Sequence, residues 1–89
     1  MIRKELKITN KLGLHTRAAA KLVTCAGTFS SRIRLECKGR QMNGKSIMEV
    51  MMLAAAQGSV ITLSIEGEDE VAASIALERL IVDRFGENE

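Results

Sequence analysis

Apolar residues recur along this chain at two different spacings, and each change of spacing marks an element. Ile2, Leu6 and Ile8 alternate with Arg3, Glu5 and Lys7, which predicts a half-buried strand. Thr9 to Leu14 reads as a loop. Ala18, Ala19, Leu22, Val23 and Ala26 then follow at helical spacing, with Gly27 next. They predict an amphipathic helix from about Thr16 to Ala26, stopped by glycine. Arg32 to Lys38 alternates again: Ile33, Leu35 and Cys37 on one face, charged residues on the other. Lys38-Gly39 predicts a turn into a short partner strand around Gln41-Met42-Asn43.

Ser46-Ile47-Met48-Glu49 has the form of a capping box, serine at the cap and glutamate three residues later. A short helix is expected from there to about Ala55, with Val50, Leu53 and Ala54 inward. Ile47, Met48 and Met51 then fall outward, either as spare core or as an adaptable binding patch. Gln57-Gly58 ends that helix. Val60 to Glu66 alternates, with Ile61, Leu63 and Ile65 on the buried face. Glu68-Asp69-Glu70 suits a helix start. The last helix is expected to reach about Arg84, its inner stripe Ala73, Ala76, Leu77, Leu80 and Ile81.

The order is strand, helix, strand, strand, helix, strand, helix, and its first six elements form a split βαβ pattern. Because one face of each strand is polar, helices are expected on the other face only. The predicted fold is α+β: an open-faced two-layer sandwich of a four-stranded antiparallel sheet covered by three helices. Residues 1–89 read as a single domain.

Composition narrows the function. Apolar residues are 46% and charged residues 27%, an ordinary globular balance. No apolar run is long enough for a membrane helix, the N-terminus does not read as a signal peptide, and a cytoplasmic protein is expected. Cys25 and Cys37 read as free thiols on apolar faces, and one histidine with two separated cysteines predicts no metal site. Residues 1–45 hold eleven Lys/Arg and two Glu, whereas residues 46–89 hold two Arg and nine Asp/Glu. The basic half suits phosphorylated or acidic partners, with nucleic acid as the rival. Split βαβ sheets that read RNA need aromatics for base stacking, and this chain has two Phe, no Tyr and no Trp.

Two stretches carry candidate chemistry. His15, the only histidine, stands where the first helix begins, with Arg17 two residues on. A helix start offers unpaired N–H groups and the positive end of the dipole, an anion site. Histidine can act as a nucleophile near neutral pH, and arginine presents a fork of donors suited to phosphate. The pair predicts an imidazole that meets a phosphoryl group; the plainer reading is a solvated cap. Ser46 at the second helix start is either an N-cap or a phosphate site, and Glu49 favours the cap.

These segments, Gly13-Leu14-His15-Thr16-Arg17, Asn43-Gly44-Lys45-Ser46-Ile47-Met48 and Gln57-Gly58-Ser59, resemble the HPr family, the histidine phosphocarriers of the bacterial phosphotransferase system. The resemblance runs from Ile2 to Gly86 and matches the element order. It implies a phosphocarrier, a covalent relay intermediate rather than a turnover enzyme, and no cofactor. It implies that His15 is phosphorylated, through its δ nitrogen in the family, and that Arg17 pairs with the phosphoryl group. Ser46 resembles the regulatory serine on which HPr kinase/phosphorylase acts in many bacteria. Implied partners are Enzyme I, charged by phosphoenolpyruvate, and Enzyme IIA domains, docking around Thr16, Ala20, Ile47, Met48 and Met51; no nucleic-acid or membrane partner is implied. Backbone N–H groups of Thr16, Arg17 and Ala18 are expected to donate to phosphate, and a monomer is expected.

Two departures from the family stand out. Ala18 occupies the place of its usual proline and restores an N–H. Glu49 stands where relatives with this serine segment often have glycine, and it would repel a phosphate on Ser46. Two alternatives to a sugar-branch carrier stay open: a regulatory binding module switched by phosphorylation, in nitrogen or carbon regulation, and a nucleic-acid-binding domain.

Overall fold

A computed structural model describes residues 1–89. Strand β1 spans Ile2–Lys7, helix α1 Thr16–Gly27, β2 Arg32–Cys37 and β3 Arg40–Asn43. Helix α2 spans Ile47–Met52, β4 Val60–Glu66 and α3 Glu70–Val82, and a 3-10 turn covers Arg84–Gly86. The four strands form one antiparallel sheet in the order β1-β4-β2-β3. Ile33, Leu35, Ile61, Leu63 and Ile65 are buried on the helix-covered face, together with Ala18, Ala19, Leu22, Leu77 and Ile81 from the helices. The opposite face is polar: one row across the sheet reads Arg3, Ser64, Arg34, Asn43. This is the expected open-faced sandwich. No helix is long and apolar enough to cross a membrane.

Alternation fixes the register, because a slip by one residue would turn the apolar set outward. Lys4 breaks the pattern in β1. It shares the inner side with Ile2 and Leu6, and its Nζ donates to Glu78 of α3 at 2.6 Å. Its aliphatic stem covers apolar surface while the charge reaches the rim. Lys38 (φ 52) and Gly39 (φ 80) make the tight β2–β3 turn, both in the left-handed region that such hairpins use.

Two boundaries and one cap differ from expectation. Helix α2 stops at Met52, not near Ala55. Ala54 turns left-handed (φ 53) and is exposed, so it is not part of the inner stripe; Ala55 is buried in its place, with Val50 and Leu53. The reversal frees the Ala55 carbonyl, which accepts from the Leu14 N–H at 2.9 Å. The capping box forms by half. Ser46 Oγ accepts from the Glu49 N–H at 3.3 Å, but the Glu49 carboxylate accepts from the Asn43 N–H at 3.0 Å, not from Ser46. The Ser46 N–H is already held by the Asn43 carbonyl at 3.1 Å, which leaves the carboxylate to the neighbouring donor.

Helix α3 stops at Val82 rather than Arg84, and Arg84, Phe85 and Gly86 all have positive φ. Left-handed Arg84 and Phe85 cost about 1–2 kcal/mol each. Burying the fully enclosed Phe85 ring returns about 2–3 kcal/mol. In the inner stripe Ala73, Leu77 and Ile81 are buried, while Ala76 and Leu80 are half-buried. The turn sends the last residues back across the molecule toward α1.

Candidate functional site: the start of helix α1

Gly13 sets the loop before α1. Its φ is +64, and a Cβ there would stand 2.5 Å from the Ala55 carbonyl oxygen. Only glycine permits that approach. Leu14 follows, buried and bonded to Ala55, so the loop is fastened to the segment that follows α2. His15 is the N-cap residue of α1, with extended backbone (φ −73, ψ 177). Its side chain does not cap the helix.

The first bond of α1 runs from the Ala19 N–H to the His15 carbonyl at 2.8 Å. The N–H groups of Thr16, Arg17 and Ala18 precede it and have no partner in the chain. There is no acidic residue in the first turn. Arg17 is exposed and pairs with none of the carboxylates. Three free donors, a dipole end and an unpaired guanidinium thus surround the imidazole. Such a set attracts an anion and holds it through many weak contacts. The Ala18 methyl is fully buried, so the side chain is anchored in the core.

His15, Thr16, Arg17 and Ala20 line one open cleft of about 830 Å³, together with Lys11, Leu12 and the chain end Glu87–Glu89. Reading the sequence missed that chain end and the residue that braces it. Glu87 accepts a hydrogen bond from His15 Nε2. Its other oxygen accepts from Asn10 Nδ2 at 3.1 Å. Asn10 is fully buried, and the same nitrogen donates to the Gly13 carbonyl at 2.8 Å. Two acceptors facing one nitrogen fix which way that amide points. The bond from His15 holds the Glu87 carboxyl below its ordinary value; burial opposes this and Asn10 adds to it. Lys21 Nζ donates to the Phe85 carbonyl at 2.6 Å and pins the turn that delivers Glu87. The one sequence signal was Phe85, an apolar residue four beyond Ile81, which reads equally well as more helix.

The second candidate stands elsewhere. Ser46 is half-buried and its Oγ is engaged by the Glu49 N–H. Ile47, Met48 and Met51 are exposed, with Met52 beside them, so they are surface rather than core. None of these residues lines the His15 cleft. Cys25 is half-buried and Cys37 buried, both as free thiols, and burial pushes the Cys25 thiol up.

A family model described as "PTS HPr component phosphorylation site" matches residues 2–83. The chain belongs to the HPr family. Phosphocarrier protein HPr of Xylella fastidiosa (strain Temecula1) is 54% identical over 88 residues, covering 99% of each chain. That of Cupriavidus necator is 53% identical over 89 residues, covering both chains fully. The crystal structure of HPr-C-His from Thermoanaerobacter tengcongensis matches with a TM-score of 0.97 at 46% identity, over the whole of both chains. The chain is therefore an HPr-type phosphocarrier of the phosphotransferase system, and the helix start at His15 lies within the matched residues.

Proposed function

We propose that His15 takes a phosphoryl group from Enzyme I, charged by phosphoenolpyruvate, and passes it to Enzyme IIA domains. The observation that carries this reading is the open start of α1: an imidazole at the N-cap, three unpartnered N–H groups and the unpaired Arg17. A relay must hold phosphate without trapping it. Partly exposed donors do this better than a closed pocket, because each hydrogen bond exchanges readily for one to water. The chain itself is a covalent intermediate, regenerated by onward transfer, and not a turnover catalyst.

Thr16, Ala20, Ile47, Met48 and Met51 are proposed to receive the partners. An exposed methionine-rich surface adapts to several partners, and a small interface lets each of them leave. Ser46 is proposed as the regulatory target of HPr kinase/phosphorylase. The Glu49 carboxylate in the same turn opposes a dianion there. Glu49→Gln is therefore expected to raise Ser46 phosphorylation by that kinase.

The test of the carrier role is intact mass after incubation with phosphoenolpyruvate and Enzyme I. One acid-labile phosphate on the wild type and none on His15→Ala is the expected result. A wild type that stays unmodified contradicts the reading.

A further inference from the structure

We infer that Glu87 is a positioning residue for the transfer: its carboxylate holds the Nε2–H of His15 and leaves Nδ1 as the nucleophilic nitrogen. The inference rests on the carrier reading. It concerns a residue beyond the stretch that the family model matches, which ends at residue 83.

The geometry is that of a carboxylate orienting a histidine. Nε2 is engaged by Glu87, whereas Nδ1 has no partner in the chain. A histidine with one nitrogen donating to a carboxylate is fixed in tautomer, and the other nitrogen keeps its lone pair. The brace is built rather than casual. His15 is 27% exposed and Glu87 only 15%. Asn10, fully buried, ties Glu87 to the Gly13 carbonyl in the loop that carries His15. Three left-handed residues, Arg84 to Gly86, deliver Glu87 to the ring, and Lys21 holds that turn. Of the other charged groups in the cleft, Lys11 pairs with Glu89 at 3.4 Å and Arg17 is unpaired. Glu87 is thus the carboxylate on the ring.

The chemistry follows from that placement. The Nδ1 lone pair forms the P–N bond while the bond from phosphorus to its donor on phosphorylated Enzyme I breaks, its electron pair leaving with the donor. The Nε2 proton stays between His15 and Glu87. The phosphorylated ring then carries a positive charge next to the carboxylate, which stabilises it. In onward transfer the P–N pair returns to Nδ1 and a neutral ring departs. Nothing is oxidised or reduced, and no proton leaves the site.

Two substitutions separate orientation from charge. Glu87→Gln keeps an acceptor and loses the charge; Glu87→Leu loses both. The first readout is nitrogen NMR of the unphosphorylated protein. Wild type is expected to show a downfield, exchange-protected Nε2–H proton that Glu87→Leu lacks, with the amide spectrum of the sheet unchanged. The second is the rate of phosphorylation by phosphoenolpyruvate and Enzyme I across pH. Glu87→Leu is expected to slow it about tenfold, with Glu87→Gln between the two. A Glu87→Leu protein that matches wild type in rate at every pH, or keeps the protected proton, overturns the inference. A wild type that takes no phosphate overturns the carrier reading instead, and the NMR signal still decides the placement of the ring.

Discussion

The starts of α1 and α2 share a backbone and differ in what fills it. Both N-cap residues, His15 and Ser46, are extended, and both chains then turn into a helix. At α2 the cap closes on itself: Ser46 Oγ takes the Glu49 N–H, and an acid stands in the first turn. At α1 the cap side chain points away to Glu87, no acid follows, and three donors stay open. The start of α3 is a third case. Asp69 does not cap it; its carboxylate accepts from the N–H groups of Ser30 (2.8 Å) and Ser31 (3.0 Å) and from the Ser31 hydroxyl. Three helix starts therefore serve three different ends. A helix start becomes an anion site when the chain declines to satisfy it.

The largest effect is expected where the open start is shaped. Gly13→Ala places a Cβ against the Ala55 carbonyl at a positive φ and should destabilise the fold by about 2–3 kcal/mol. A denaturant titration reads this, and the loop carrying His15 should lose the protection of its Leu14 amide. The equivalent substitution at Gly39, where no atom lies within 4 Å of a new Cβ, meets the φ penalty alone and should cost less.

Arg17→Ala should come next, slowing phosphoryl transfer to His15 about tenfold, near 1.4 kcal/mol, by removing a charge-assisted contact. Because Arg17 has no partner in the chain, its melting temperature should hold. Ser46→Ala is the mirror image. It should cost about 1 kcal/mol of stability as a lost N-cap and leave the transfer rate at His15 unchanged. Measuring both quantities on both variants gives a crossed pattern, and parallel losses would break the comparison.

The smallest effect belongs to the third start and to acid. Contacts with Ser31 and Ser30 hold the Asp69 carboxyl at about 2, below its ordinary value of 3.8. The folded value is the lower one, so the contribution is present above the unfolded value and is lost as pH falls from about 3.8 through about 2. Asp69→Asn should flatten this part of the acid unfolding curve while leaving phosphorylation near pH 7 untouched.

Much of the architecture was legible because the pattern is local. Alternation in Arg32–Lys38 and Val60–Glu66 and the helical stripe from Ala18 to Ala26 need no knowledge of distant residues. The placement of His15 and Arg17 at a helix start was legible for the same reason, since a helix start is visible in the residues around it. What escaped depends on the chain doubling back. Ala54 looked like an inner-stripe residue because periodicity does not register a left-handed stop, and Ala55 took the core position after the reversal. Lys4 interrupts an apolar face for a carboxylate 74 residues away. Glu87 lies 72 residues from His15 and arrives through a turn of consecutive non-glycine left-handed residues, which propensity argues against. Burial of Phe85 and the Lys21 bond to its carbonyl outweigh that preference, and neither is written in the local sequence.

The central claim is that His15 carries phosphate on Nδ1, against the open donors of α1. Phosphorus–nitrogen correlated NMR of the protein, phosphorylated with phosphoenolpyruvate and Enzyme I, tests it most directly. The account predicts phosphorus bonded to Nδ1 of His15, with the amide signals of Thr16, Arg17 and Ala18 shifted downfield and that of Glu49 unmoved. Phosphorus on Nε2, or first-turn amides that do not respond, would contradict it.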